Sequence, residues 1–226
     1  MKIKNLLIFF LTALLAFSCS TVNKLDEYEV EGKTMKLEVT PAMPPEVDVN
    51  YHHTDSDSLI VQLAVIGTNA AKAAEAQEVE DRLIEALREE NIPEKVALIA
   101  YEESITSLNA YKAESIMSDL AMVISVESYG IRESYSNSLH FFIQVDARIY
   151  DKASEELIWR RYFDESDQIS PDIFGFSGIV DNFVTIGMLQ NIEDDELYAG
   201  IKSLSESVAA RIAKRLHEDY LDVRYN

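Results

Sequence analysis

Between Leu120 and Phe163 the chain alternates apolar and polar side chains in three successive stretches joined by short turns, which leaves it few folds to adopt. Leu120, Met122, Ile124 and Val126 alternate with Ala121, Val123, Ser125 and Glu127. After the turn Glu133–Ser138, the residues Leu139, Phe141, Ile143, Val145, Ala147 and Ile149 alternate with His140, Phe142, Gln144, Asp146, Arg148 and Tyr150. A second turn, Asp151–Ser154, leads into Glu156–Phe163, which carries Leu157 and Trp159. A period of two places successive side chains on opposite faces of a strand, and short turns make sequential strands antiparallel neighbours. These stretches predict an antiparallel β-meander.

Helical patterns flank it. Leu59–Asn91 is rich in Ala, Leu, Glu and Arg, with Val79, Leu83, Ala86 and Leu87 forming one stripe and Glu78–Arg82 a favourable pair beside it. Its front part, Leu59–Ala71, is apolar on nearly all sides but too short to span a bilayer, and Gly67 and Asn69 are candidate breaks. Asn91, Pro93 and Glu94 form a capping box for a helix to about Ala110, with Val96, Ile99, Ile105 and Leu108 inward. Ser177–Leu189 and Glu193–Tyr220 are further helices, the second carrying Leu197, Ile201, Leu204, Val208, Ile212 and Leu216 at helical spacing. Its acidic start, Glu193–Glu196, suits the helix dipole and needs no calcium. Lys36–Val39 is a short strand, and the proline-rich stretch after Pro41 is a loop or edge segment. Strands grouped between helices indicate α+β: a meander packed with helices as a two-layer α/β sandwich.

The N-terminus is a targeting segment. Lys2 and Lys4 precede Leu6–Phe17, in which only Thr12 is polar, and small residues follow. Those twelve residues would span roughly 18 Å as a helix, short of the roughly 30 Å hydrocarbon core. Directly behind stands Cys19, the chain's only cysteine, which excludes an internal disulfide. The segment resembles the lipobox of bacterial lipoproteins, Ser18 and Cys19 fitting its last two positions. That resemblance implies acylation of Cys19 by more than one chain, palmitate among them, and stable anchoring, because a single acyl chain binds only marginally. Ser20, where an Asp would retain the protein in the inner membrane, points to the outer membrane facing the periplasm. The expected division is a signal peptide over 1–18, a tether over 19–32, polar and without periodicity, and a single domain over 33–226.

Removing residues 1–18 takes away two lysines, so that 18 basic residues face 40 acidic ones in the remaining 208, a net charge of −22. Such a field disfavours nucleic acid and anionic lipid surfaces as ligands.

Chemistry is sparse. His52, His53, Asp55 and Asp57 offer N and O donors, but neighbours on an extended chain point to opposite sides, and a solvated loop explains them. A periplasmic metal-dependent enzyme or small-ligand receptor on that loop is the alternative function. His140 and His217 have no local catalytic partner. Gly175–Ile179 lacks the second glycine of a nucleophile elbow, and no phosphate-binding glycine loop occurs. The expectation is a non-catalytic protein without cofactor or metal. What remains is a surface: opposite Leu139, Phe141, Ile143 and Val145 the meander presents Val123, Tyr129, Phe142, Tyr150, Ile158 and Tyr162, interleaved with Arg148 and Arg160. Aromatics with arginine are what protein interfaces favour. Phe142, Arg148, Tyr150, Arg160 and Tyr162 are the candidate partner-binding residues, and cover by another helix of the chain is the competing explanation.

Residues 118–161 also resemble a group of bacterial envelope lipoproteins: auxiliary lipoproteins of ABC-type transport systems, the curli-secretion lipoprotein and penicillin-binding-protein activators. The match lies at Tyr129-Gly130, at Asp151 before an acid-rich turn, at Trp159 closing the next strand, and in the long helix after the sheet. The resemblance covers about the last half of the chain and implies a lipid-tethered α/β sandwich with a binding, assembly or transport-accessory role, served by an envelope protein partner. It carries over no catalytic residues. A secretion-channel subunit, and with it a homo-oligomer, is the third functional class.

Overall fold

The computed structural model describes residues 21–41, 44–49, 59–113, 117–134, 138–169, 189 and 192–225, with the side chains of the first helix from residue 69 onward. The fold is α+β, as the grouping of strands between helices predicts. Seven strands, β1 (Val22–Asn23), β2 (Thr34–Val39), β3 (Glu46–Asp48), β4 (Tyr111–Lys112), β5 (Leu120–Glu133), β6 (Leu139–Asp151) and β7 (Leu157–Gln168), form one sheet. Among the described residues the helices with both ends defined are α1 (Leu59–Ala86), α2 (Ile92–Leu108) and α3 (Asp194–Tyr225).

The meander is present as β5–β6–β7, each pair antiparallel. Beyond it the sheet is mixed: β2 and β3 both pair parallel with β5, β4 pairs parallel with β2, and β1 closes the other edge antiparallel to β7. The parallel pairs arise because α1 and α2 intervene between β2 or β3 and β5, a crossover long enough for parallel pairing.

Leu120, Met122, Ile124, Leu139, Ile143, Val145 and Ile149 are buried in one core with α2 and α3. All six apolar positions expected on the last helix are buried, and Asn91 accepts the Glu94 N–H at 3.2 Å as the capping box requires. That helix stops at Leu108, where Asn109 takes a left-handed conformation, φ 50°. At two glycines only a hydrogen fits. A Cβ on Gly130 (φ 148°) would stand 1.9 Å from the Glu46 carbonyl oxygen, so the glycine lets β3 approach β5, and one on Gly200 would stand 2.1 Å from the Phe141 ring, so α3 lies flat on β6.

Three expectations are corrected. First, α1 runs through Gly67 and Asn69 as one helix; one glycine costs about 1 kcal/mol, which a 28-residue helix absorbs. Arg82 reaches across to α3, donating from Nε to Asp194 at 2.9 Å and from a terminal nitrogen to the Leu189 carbonyl at 3.0 Å.

Second, Tyr129 and Ile158 belong to the core, not to the opposite face. The β5–β6 register shifts between Val126 and Ser128, and the β6–β7 register between Ile149 and Tyr150. A β-bulge adds one residue and so reverses which face the following side chains occupy.

Third, the stretch expected as a tether joins the domain from Val22 onward. Val22 pairs with Arg160 and Asn23 with Trp159, Leu25 and Val30 are buried, and the Lys24 amide donates to the Ile158 carbonyl at 2.8 Å. The Tyr28 hydroxyl and Lys24 both bind Glu156, the hydroxyl at 2.6 Å, and Arg224 pairs with Glu31 at 2.7 Å. Cys19, His52, His53, Asp55, Asp57, the 175–179 segment and most of the expected helix 177–189 lie outside the described residues.

Candidate functional site

Three strands build the face turned away from the helices. Register places Arg148 directly across from Arg160, Asp146 from Tyr162, Gln144 from Asp164 and Phe142 from Ser166. The side chains that the alternation assigns to this face, Phe142, Arg148, Tyr150, Arg160 and Tyr162, are brought together on it, and their environments differ.

At its centre Asp146 is fully buried beneath two guanidiniums. Arg148 donates from Nε at 2.9 Å, and Arg160 from Nε at 3.1 Å and from a terminal nitrogen at 2.7 Å. Two arginines facing each other across strands would repel, and the shared carboxylate reverses this. Burial pushes the Asp146 pKa up, but hydrogen bonds and charge from Arg148 and Arg160 outweigh it and hold the group below the ordinary carboxylate value. The Asp146 hydrogen bond in turn raises Arg148 further. Asp146→Asn is expected to cost about 1–3 kcal/mol, because the amide cannot balance both guanidiniums. Urea denaturation measures this.

A second network adjoins it. Arg132 pairs with Asp164 at 2.9 Å while its guanidinium lies 5.1 Å from the Phe142 ring centroid, and Phe142 is only 3% exposed. Gln144 donates to Asp164 at 3.2 Å and accepts from Ser128 at 2.8 Å. The two arginines expected as contact anchors are thus committed to Asp146, and Phe142 is inside. Tyr162, 44% exposed, is the aromatic that the face presents to solvent, with Tyr150 half-buried.

The two described histidines are held by neighbouring polar groups. His140 Nε2 lies 3.0 Å from the Ser138 hydroxyl, itself 2.8 Å from Ser134, and burial together with the Arg132 charge lowers its pKa against the pull of Asp167. His217 Nδ1 meets the Ser107 carbonyl at 3.2 Å. Among the described residues no three His, Cys, Asp or Glu side chains could hold a metal together, and no helix is long and apolar enough to cross a membrane.

A further polar cluster is buried between α3 and the sheet. Asp219, 2% exposed on α3, accepts from Trp159 Nε1 at 2.9 Å and from Arg161 Nε at 2.7 Å, and pairs with Arg215 at 2.9 Å. The carbonyl of Asp219 accepts from the Asn23 side chain at 3.2 Å, so the cluster joins the last helix to β7 and β1. Its sequence signal is an acid on the apolar stripe, three residues after Leu216.

No known protein family and no curated protein matches the chain. Similar solved structures include a DUF330 protein of Xanthomonas campestris (12% identity, 92% of this chain and 97% of that one, TM-score 0.41). A minor lipoprotein of Acinetobacter baumannii is similar at 10% identity, covering 83% and 92%, TM-score 0.39. The dodecameric PelC of Paraburkholderia phytofirmans is similar at 8% identity, covering 82% and 89%, TM-score 0.37. Nothing about function follows from likenesses at this level.

Proposed function

We propose that the chain is a lipid-anchored, non-catalytic protein of the bacterial cell envelope that serves as a binding or assembly module, held in the outer membrane and facing the periplasm. The observation that carries it is the order Lys2/Lys4, apolar run, Ser18-Cys19 at the N-terminus, followed within three residues by the first strand of the domain. An envelope protein is the partner, and it contacts the sheet face at Arg148, Tyr150 and Arg160. Arginines fixed by Asp146 lose little conformational entropy on binding, which favours their use as rigid contacts.

Cys19→Ala is expected to abolish fatty-acid incorporation and to leave the precursor uncleaved, with the protein lost from the membrane fraction. Normal anchoring of that variant would overturn the proposal. Photo-crosslinking from position 150 in cells then identifies the partner. Labelling from the helical layer alone would move the contact away from the sheet face.

A further inference from the structure

The outer side of β2 is only partly covered. β4 pairs there with Thr34 and Met35, and among the described residues no other strand continues along that side. Two bonds fix which way the backbone groups point. The Met35 carbonyl accepts from the Ala113 amide on the outer side, and the Thr40 amide donates to the Ile124 carbonyl of β5 on the inner side. The register with β5 is unbroken from Met35 to Val39, and along a strand successive residues aim their N–H and C=O to alternate sides. Leu37 and Val39 therefore present both groups outward, beyond the end of β4. An edge of this kind is a template for an added strand.

A groove borders this edge. Leu37 and Val39 share the face of the buried Met35, the side toward the helices; Leu37 packs against the core and Val39 is 39% exposed. The neighbouring flank of α2 is marked by Tyr101, whose hydroxyl donates to the Met35 carbonyl at 2.5 Å. Leu98, 48% exposed, and Glu94 lie one and two turns earlier on that flank. Where β2 ends, a groove of about 660 Å³ is walled by Val39, Pro41, Pro93 and Tyr129, with Glu89 and Glu94 on its rim. Arg88 and Glu90 also line it, paired with Glu85 and Lys95. With those partners counted, Glu85, Glu89, Glu90 and Glu94 face Arg88 and Lys95, and Glu89 and Glu94 hold the negative excess. Glu94 accepts from the uncharged Asn91 side chain at 3.0 Å.

We propose that the β2 edge binds an extended segment of a partner protein in which apolar residues alternate with polar ones and a Lys or Arg stands at one end. Its main chain pairs with Leu37 and Val39, its apolar side chains lie between β2 and Leu98, and its cation reaches Glu89 and Glu94. Pro41 has no N–H to offer and closes the edge, so the paired segment matches the stretch Leu37–Pro41. A second copy of this chain brings a net charge of −20 to the same acids, which makes a cationic segment the favoured occupant. Strand β5 separates this edge from β6 and β7. The site depends neither on the acylation of Cys19 nor on the contact at Arg148, Tyr150 and Arg160.

The probe is a fluorescent peptide of alternating valine and threonine with arginine at one end, made in both chain directions and titrated against the purified chain by fluorescence anisotropy. Saturable binding of one direction is expected. Threonine in place of the arginine should weaken it up to about fivefold, the worth of an exposed ion pair, and Glu89→Lys should erase that difference. Val39→Pro removes an outward N–H and no bond to β5, a change tolerated at an edge, and should lower affinity about tenfold. Urea denaturation checks that this variant is folded. If it is not, the unaltered chain is tested with peptides N-methylated on alternate amides: one set, facing β2, should abolish binding and the other should spare it. No saturable binding, equal affinity of folded Val39→Pro and parent, or equal effects of the two methylated sets would overturn the proposal. So would self-association of the parent, seen by sedimentation and lost in Val39→Pro, which would make the edge a contact between copies.

Discussion

Asp219→Ala is expected to lower unfolding stability by about 3–5 kcal/mol, the cost of removing one partner from a buried charge cluster. Three donors converge on this carboxylate: the indole N–H of Trp159, which is fully buried, the Arg161 guanidinium and the Arg215 guanidinium. Truncation leaves the indole N–H without its acceptor in a water-poor site and leaves two positive charges beside each other. It also unties α3 from β7, while the Asn23 bond, made to the backbone carbonyl of residue 219, survives the truncation. Burial alone would raise the pKa of Asp219, but hydrogen bonds from Arg161 and Trp159 and the charges of Arg161 and Arg215 bring it below the ordinary value. A carboxylate with a lower pKa folded than unfolded stabilises the fold above its unfolded value, about 3.9, and that contribution is lost as pH falls through the folded value. Urea midpoints should therefore separate Asp219→Asn from the parent at pH 7 and converge below about pH 3.9 as the parent carboxylate protonates. A gap that persists undiminished at low pH would mean that the ionised carboxylate contributes nothing.

The sequence announced the meander, the capped helix α2 and the apolar stripe of α3, because each is a local pattern legible without distant partners. What it hid are the features that depend on distant partners or on a single added residue. Strand β2 alternates legibly, yet nothing in Thr34–Val39 says that it pairs parallel with β5 rather than antiparallel with another strand. Alternation counted through two bulges puts Tyr129 and Ile158 on the wrong face, because a bulge carries no apolar signature. The stretch after Cys19 reads as a tether because its contacts are mostly polar and long-range. Lys24, Tyr28 and Glu31 find Glu156 and Arg224 more than a hundred residues away, and only Leu25 and Val30 enter the core.

The candidate site was legible as a face but not as a set of roles. Alternation alone placed Phe142, Arg148, Tyr150, Arg160 and Tyr162 together. It could not show that Asp146 would neutralise both arginines, because the pairing of Arg148 with Arg160 depends on the β6–β7 register. The same limitation hid Asp219, whose partners lie 58 and 60 residues upstream on β7.

Phe142→Ala and Tyr162→Ala, made separately, are expected to differ sharply although both side chains share one face. Phe142 is 3% exposed and covered by the Arg132 guanidinium, so truncation should cost about 3–5 kcal/mol, as for other buried Phe. The lower end of that range applies if water enters beside Arg132 and fills part of the space. Tyr162 is 44% exposed, and its truncation should cost less than about 1 kcal/mol, as for most surface substitutions. Loss of partner capture in Phe142→Ala is then a consequence of unfolding and should be restored by Phe142→Leu, which refills most of the volume. In Tyr162→Ala the fold persists, so any lost function belongs to the surface itself. Urea denaturation of the two single variants decides between these roles. A Phe142→Ala variant within about 1 kcal/mol of the parent would show an open ring and restore Phe142 as a contact residue.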